Sequence, residues 1–302
     1  MNRKSLGDRK MRFMLLVKAS KESEAGVLPA EKILSEVGRY NEELVKAGAL
    51  LAAEGLQASS KGARIHYANG KFRVIDGPFT ESKELVAGFW LIQAKSRDEA
   101  IDWARRVPFD DGEVEIRPLF ELPDFPVDPA EKTDGWREKE QQFRDAPPPA
   151  RKPGTRRYLG MVMADKASEA GVLPDEKLLS AMGAFFEEGL KAGVILAGEG
   201  LQPSSKGVRV RYSGKKRTVI DGPFTESKEL IAGYALLQFK SKDEAIEWTK
   251  RFLEIDAPGR HLGECWSEIR PLFEQEDFPA DPAEKPDGWR RQEQRFRDQL
   301  GH

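Results

Sequence analysis

The chain has little of what most metal and redox centres are built from. Cys265 is its only cysteine, and His66, His261 and His302 are its only histidines in 302 residues. One cysteine excludes an intrachain disulfide and a cysteine-rich metal site, which suits a reducing compartment. Charge of one sign is missing too: 49 Lys and Arg stand against 51 Asp and Glu, a net charge of −2. With no sustained Lys/Arg run, no broad field gathers nucleic acid or an anionic membrane. Long hydrophobic runs are absent as well. Arg12-Phe13-Met14-Leu15-Leu16-Val17-Lys18 is too short for a signal segment or a membrane span and reads as a first strand. No P-loop, dinucleotide fingerprint or nucleophile–base motif occurs. These absences predict a cytoplasmic protein with no metal, no cofactor, and neither nucleic acid nor membrane as partner.

What is present is repetition. Ser23 to Pro29 returns unchanged as Ser168 to Pro174, Glu54 to Gln57 as Glu199 to Gln202, and Asp76 to Leu85 as Asp221 to Leu230, all at an offset of 145. Beyond Trp103 and Trp248 the offset is 153, where Glu115 to Glu121 matches Glu268 to Glu274, so the second copy carries eight extra residues. The tail repeats as well: Asp134 to Arg137 matches Asp287 to Arg290. Between the copies, residues 146–154 hold four prolines and read as a stiff, extended spacer. The organisation is an extension (1–10), a first domain (11–123), an arm with a short helix plus linker (124–157), a second domain (158–276) and a C-terminal arm (277–302). The seven-residue spacing of Trp136 and Phe143 gives the arm helix one apolar face, expected to dock on the protein.

Periodicity orders each copy as strand, helix, strand, hairpin, strand, helix, strand. Ile33, Val37, Tyr40, Leu44 and Val45 recur at helical spacing and Gly48 closes that helix. Ala63, Ile65 and Tyr67 alternate with polar residues before a turn at Asn69-Gly70. Ser96 and Glu99 form a capping box for the second helix. This order predicts an α+β fold: two ferredoxin-like domains, each a split βαβ with an inserted hairpin. Such a sheet leaves one apolar face uncovered, so the copies are expected to pair within the chain as a pseudo-dimer resembling an α+β barrel. Further homo-oligomerisation is left open.

The stretch Asp76-Gly77-Pro78-Phe79-Thr80-Glu81 resembles the signature of the YCII-related (DGPF) family. The start at Met11 to Val17, Ala47-Gly48-Ala49-Leu50, Glu54-Gly55-Leu56, Lys83-Glu84 and Gly88-Phe89 add to the resemblance, which spans most of each copy. The resemblance implies the dimeric α+β barrel group, whose members include isomerases, monooxygenases and dehydrochlorinases acting on small, often aromatic molecules. It also implies an alternative: a non-catalytic accessory role beside an extracytoplasmic-function sigma factor. One branch of the family is thought to use a His–Asp pair, but His66 is replaced by Arg211 in the second copy, which speaks against histidine chemistry here.

Candidate site residues are therefore carboxylates, suited to proton transfer of the lyase or isomerase kind on a small organic ligand. Asp76 and Asp221 precede Gly-Pro, either as turn carboxylates or as bases whose affinity for protons is raised by partial burial. Glu54 and Glu199 lie on apolar strands and need partners, for which Lys83, Lys228, Arg117 and Arg270 are available; ion pair and site remain equally open. Glu81 and Glu226 belong to a solvated loop or to a pocket rim. Tyr234, opposite Phe89 in the other copy, adds a hydroxyl. His261 and Cys265 in the insertion are too few for a zinc site and read as a surface loop. Trp90 against Ala235 is the sharpest difference between the copies: an indole fills in one what the other leaves open. A pocket is expected in the second copy.

Overall fold

The computed structural model describes residues 10–79, 84–125, 136–224, 229–260, 263–278 and 290, without the side chain of Trp136. Copy one runs β1 (Met11–Lys18), α1 (Lys21–Glu24), α2 (Glu31–Lys46), β2 (Leu50–Gly55), β3 (Ala63–Ala68), β4 (Lys71–Asp76), β5 (Val86–Ala94), α3 (Arg97–Arg105) and β6 (Asp111–Pro118). The arm helix α4 (Trp136–Asp145) follows. Copy two repeats the order as β7 (Arg156–Met163), α5 (Lys166–Glu169), α6 (Glu176–Lys191), β8 (Ile195–Gly200), β9 (Val208–Ser213), β10 (Lys216–Asp221), β11 (Ile231–Phe239), α7 (Lys242–Asp256) and β12 (Cys265–Pro271). Local chemistry sets the boundaries. Ser96 accepts from the Glu99 amide at 3.2 Å to open α3, and Asn69 and Gly70, both at positive φ, turn the first hairpin.

The hairpins are exchanged. One six-stranded antiparallel sheet runs β10-β9-β6-β1-β5-β2 and the other β4-β3-β12-β7-β11-β8. Each copy supplies four strands to its own sheet and lends its hairpin to the edge of the other, β9 on β6 and β3 on β12. The element order predicted from sequence stands; the sheet that receives each hairpin could not be read from it.

The two sheets face one another across a layer of Met14, Leu16, Phe89, Leu159, Met161, Tyr234 and Leu236, which is the apolar face expected to be covered by the second copy. Helices cover the outer faces. Phe13, Leu15, Trp90 and Ile92 meet α2 and α3 together with the lent Val208, Val210 and Tyr212. Tyr158, Leu237 and Phe239 meet α6 and α7 together with the lent Ala63 and Ile65. Each core is thus completed by side chains of the other copy. The fold is an α+β barrel-like pseudo-dimer of two ferredoxin-like units. Among the described residues no helix is long and apolar enough to cross a membrane.

Candidate functional site

The repeated Asp-Gly-Pro-Phe turn holds each hairpin in place. Phe79 and Phe224 are buried, with the guanidiniums of Arg64 and Arg209 over their rings at 4.2 and 4.1 Å. Their amides donate to Ser59 Oγ at 3.1 Å and Ser204 Oγ at 3.3 Å. The preceding peptide bonds, Gly77–Pro78 and Gly222–Pro223, are cis. Glycine is required because a Cβ at Gly77 or Gly222 would stand 1.9 or 1.8 Å from a serine carbonyl oxygen. We expect Gly222→Ala to lower stability by about 1–3 kcal/mol or more, read as a falling urea midpoint; an unchanged midpoint would mean that the turn yields freely.

The carboxylates of that turn point to water. Asp76 and Asp221 have side chains 69% and 72% exposed, paired with Lys242 at 2.6 Å and with Arg97. The partial burial assumed in reading them as bases is absent. Asp221 borders an open cleft, but the neighbouring Lys18, Glu84 and Arg209 are engaged with one another, both cations reaching Glu84 at 2.7 Å.

Glu54 and Glu199 are buried and bridge the copies in a symmetrical way. Arg157 of copy two holds Glu54 and Glu274; Arg12 of copy one holds Glu199 and Glu121. Arg117 and Arg270 are fully buried clamps, each donating Nε at 3.0 Å to the carbonyl of a glutamine in the other copy, Gln202 and Gln57. Neither arginine reaches the Glu54 or Glu199 strand carboxylates; Glu115 with Glu169, and Glu268 with Glu24, are their acidic partners. Glu81, Lys83, Glu226, Lys228 and His261 lie outside the described residues, as does most of the C-terminal arm. Cys265 is buried in β12, and burial pushes its thiol up to about 12.

A partly open, mainly apolar cavity lies in copy two, between its sheet and α6 and α7. It measures about 250 Å³ and is bordered by Gly160, Met182, Phe185, Phe186, Ala235, Leu237, Trp248 and Phe252. Comparing the copies position by position explains it. In copy one the same layer is closed by Leu15 and by Trp90, whose indole donates to Asn41 Oδ1 at 2.7 Å and meets Tyr40 edge-on at 5.5 Å. Copy two has Gly160 for Leu15, Ala235 for Trp90, Gly189 for Leu44 and Gly198 for Ala53. Two of these vacancies are refilled: a Cβ would lie 2.3 Å from Ile195 at Gly189 and 2.1 Å from Phe186 at Gly198. Gly160 is not refilled, since a Cβ there meets Leu237 at 3.5 Å and the Ala235 carbonyl at 3.7 Å, ordinary contacts. The open face is the helix-covered one, not the layer between the two sheets.

The cavity has two polar ends. Near the exposed edge strand β8, the arm helix α4 lies over α6, with Phe143 edge-on to Phe186 at 5.4 Å. There Arg144 reaches Glu199 at 3.0 Å, and Tyr234 also borders the space. Burial raises the carboxyl of Glu199, opposed by Arg144 and Arg12. At the other end the insertion lengthens α7 to 15 residues, where α3 has 9. The end of α7 and the short turn Ala257–Gly259 after it bring in Asp256 and Arg260, joined at 2.7 Å, with Asp165 at 3.7 Å from Arg260. Burial raises Asp256 as well, against Arg260. Glu199 and Asp256 are the carboxylates that burial raises among the described residues, and both border this cavity. Such shifts cluster at functional sites. Asp256 and Arg260 were missed from sequence because an insertion reads as a surface loop; the extra helical turns after Trp248 were the available signal.

Residues 11–123 and 158–257 each match the YCII-related domain. The chain belongs to the YCII-related family. It carries that domain twice, as the internal repeat requires. The chain is also 35% identical over 92 residues to an uncharacterized protein of Rhizobium meliloti (strain 1021), a match covering 30% of this chain and 74% of that protein. Among solved structures, the tandem is similar to a variant of chlorite dismutase from Candidatus Nitrospira defluvii, with a TM-score of 0.36 and 8% identity over 88% of this chain and 91% of that one. A second variant of that enzyme, in complex with cyanide, gives a TM-score of 0.34 at 8% identity over 88% and 91%.

Proposed function

We propose that this YCII-related protein binds a small, largely apolar organic molecule in the cavity of its second copy, with copy one serving as scaffold. The observation that supports this most is the paired loss of Leu15 and Trp90 bulk at Gly160 and Ala235 without refilling. Empty core volume destabilises a protein, so a vacancy bordered by aromatic rings and by two raised carboxylates suits an occupant. An apolar cavity of about 150 Å³ holds one benzene, so about 250 Å³ leaves room for a two-ring aromatic. Of the four candidate acid/base carboxylates, Glu199 alone borders the cavity. If the bound molecule is transformed, Glu199 is the proton-transfer group among them.

The test is Ala235→Trp, which copies the first repeat into the second. Naphthalene should raise the melting temperature of the wild type and leave Ala235→Trp unmoved, with the variant folded by circular dichroism. Equal shifts in both proteins, or none in the wild type, would reject this assignment of the pocket.

A further inference from the structure

We infer that the cavity selects an aromatic molecule carrying a neutral hydrogen-bond acceptor, a carbonyl oxygen, which it presents to the indole N–H of Trp248. This rests on the pocket reading above and adds the ligand's polar chemistry to it.

Trp248 borders the cavity from α7, and its Nε1 is buried with no hydrogen-bond partner among the described residues. An indole nitrogen can only donate, and a buried donor without an acceptor is a costly arrangement, relieved by a ligand oxygen. Buried tryptophans ordinarily find a partner. Comparing the copies shows why this one has not. Copy one uses its polar groups within its own layer: Trp90 Nε1 donates to Asn41 Oδ1 at 2.7 Å, and the Tyr40 hydroxyl to the carbonyl of Trp103, the counterpart of Trp248, at 3.1 Å. Copy two carries Phe185 for Tyr40 and Phe186 for Asn41. It keeps the indole and loses both side-chain oxygens. Phe185 and Phe239 pack against Trp248 with ring centroids at 5.3 and 5.9 Å, and neither carries an oxygen. The guanidiniums bordering the space, Arg144 and Arg260, already have carboxylates at 3.0 and 2.7 Å, in Glu199 and Asp256; the indole has no acceptor. The surroundings of Trp248 also set the charge of the ligand group. Arg251, over its ring at 4.5 Å, already faces Glu188 at 2.7 Å. A carboxylate beside the indole would compete with Glu188 for that counterion, whereas a carbonyl needs none.

The experiment compares 2-acetonaphthone with 2-isopropenylnaphthalene, which has a methylene where the ketone has its oxygen, on the full chain isotopically labelled at its tryptophan indoles. We expect saturating ketone to move the Trp248 indole proton signal downfield, the mark of a hydrogen bond made, and the hydrocarbon not to. In calorimetry, Trp248→Phe should cut the ketone-to-hydrocarbon affinity ratio by about fivefold or more, the scale of one net hydrogen bond. A merely structural role would weaken both probes together and leave the ratio unchanged. Binding of the ketone without a downfield shift, or an unchanged ratio in Trp248→Phe, overturns the inference and leaves the pocket standing. Absence of binding by both probes overturns both. The indole signal is assigned by its loss in Trp248→Phe. Should that variant fail to fold, through-space contacts with Phe185 and Phe239 assign it, and the shift on the wild type decides alone.

Discussion

Replacing Glu115 by glutamine will cost this protein about 3–5 kcal/mol, the usual price of removing one member of a buried ion pair. Glu115 is 1% exposed and sits on β6 where the lent β9 docks. It meets three cations: Arg117 at 3.1 Å, Lys18 at 3.0 Å and Arg209 at 2.8 Å. Glutamine keeps the shape but removes the charge, leaving the fully buried Arg117 with the farther Glu169 at 3.4 Å as its carboxylate. The same residue gives the wild type a pH signature. Lys18, Arg117 and Arg209 outweigh burial and hold the Glu115 carboxyl at about 2, against an ordinary 4.5. A folded-state pKa below the unfolded one stabilises above the unfolded value and is lost as pH falls through the folded one. Stability should therefore decline between about pH 4.5 and pH 2, by roughly 3 kcal/mol from this group. In Glu115→Gln that share of the decline is absent. Urea midpoints measured from pH 7 to pH 2 check both statements; parallel curves for the two proteins would rule out the assignment.

That ion cluster also shows why the fold was only partly legible in the sequence. Helical spacing of Val37, Tyr40 and Leu44, alternation along β3 and the Ser96 cap are local signals, and the elements they announce are present. Pairing is not local. The β3 hairpin shows Ala63, Ile65 and Tyr67 on one face whichever sheet edge receives it, and the edges offered by β6 and β12 descend from one ancestor. Only contacts such as Arg209 with Glu115, or Arg64 with Glu268 at 2.9 Å, tell which edge is used. These join residues 94 and 204 positions apart in the chain.

The cavity was legible where the copies could be subtracted from each other. Trp90 against Ala235 marked the copy that holds it, and Leu15 against Gly160 carries the same signal at the same offset. Which face that opening lay on depended on strand register, and it proved to be the helix side. The repetition of the motif residues has a physical reason of its own. Asp76 and Asp221 recur beside Gly77 and Gly222 because the turn must pass within van der Waals reach of a serine carbonyl, a demand of the hairpin exchange. Shared identity thus marks the clasp, while divergence marks the cavity.

Hairpin exchange carries a second large consequence: residues 1–150 and residues 151–302 should not fold as separate monomers. Without copy two, the first core loses Val208, Val210 and Tyr212, all buried to within 1% exposure. Burying three side chains of that kind contributes about 5–9 kcal/mol, as much as the whole net stability of an ordinary domain, about 5–15 kcal/mol. Tyr212 also donates to the Ala104 carbonyl at the end of α3, an acceptor left bare in its absence. The reverse loss removes Ala63 and Ile65, both fully buried, from the core of copy two. The linker is not what keeps the halves together. A protease site placed among residues 146–149 should leave the cut chain as a 1:1 complex in native mass spectrometry, with a single cooperative melt. Each half expressed alone should lack that melt, and mixing refolded halves should restore it. A half that sediments as a monomer and unfolds cooperatively would show that each copy can pair its own hairpin, and that the exchange is optional. The reciprocal burial argues otherwise: the four strands of each copy end at β6 or β12, which the hairpin of the other copy covers, so fusion joins an interlock whose two halves are free to diverge inside their separate helix layers.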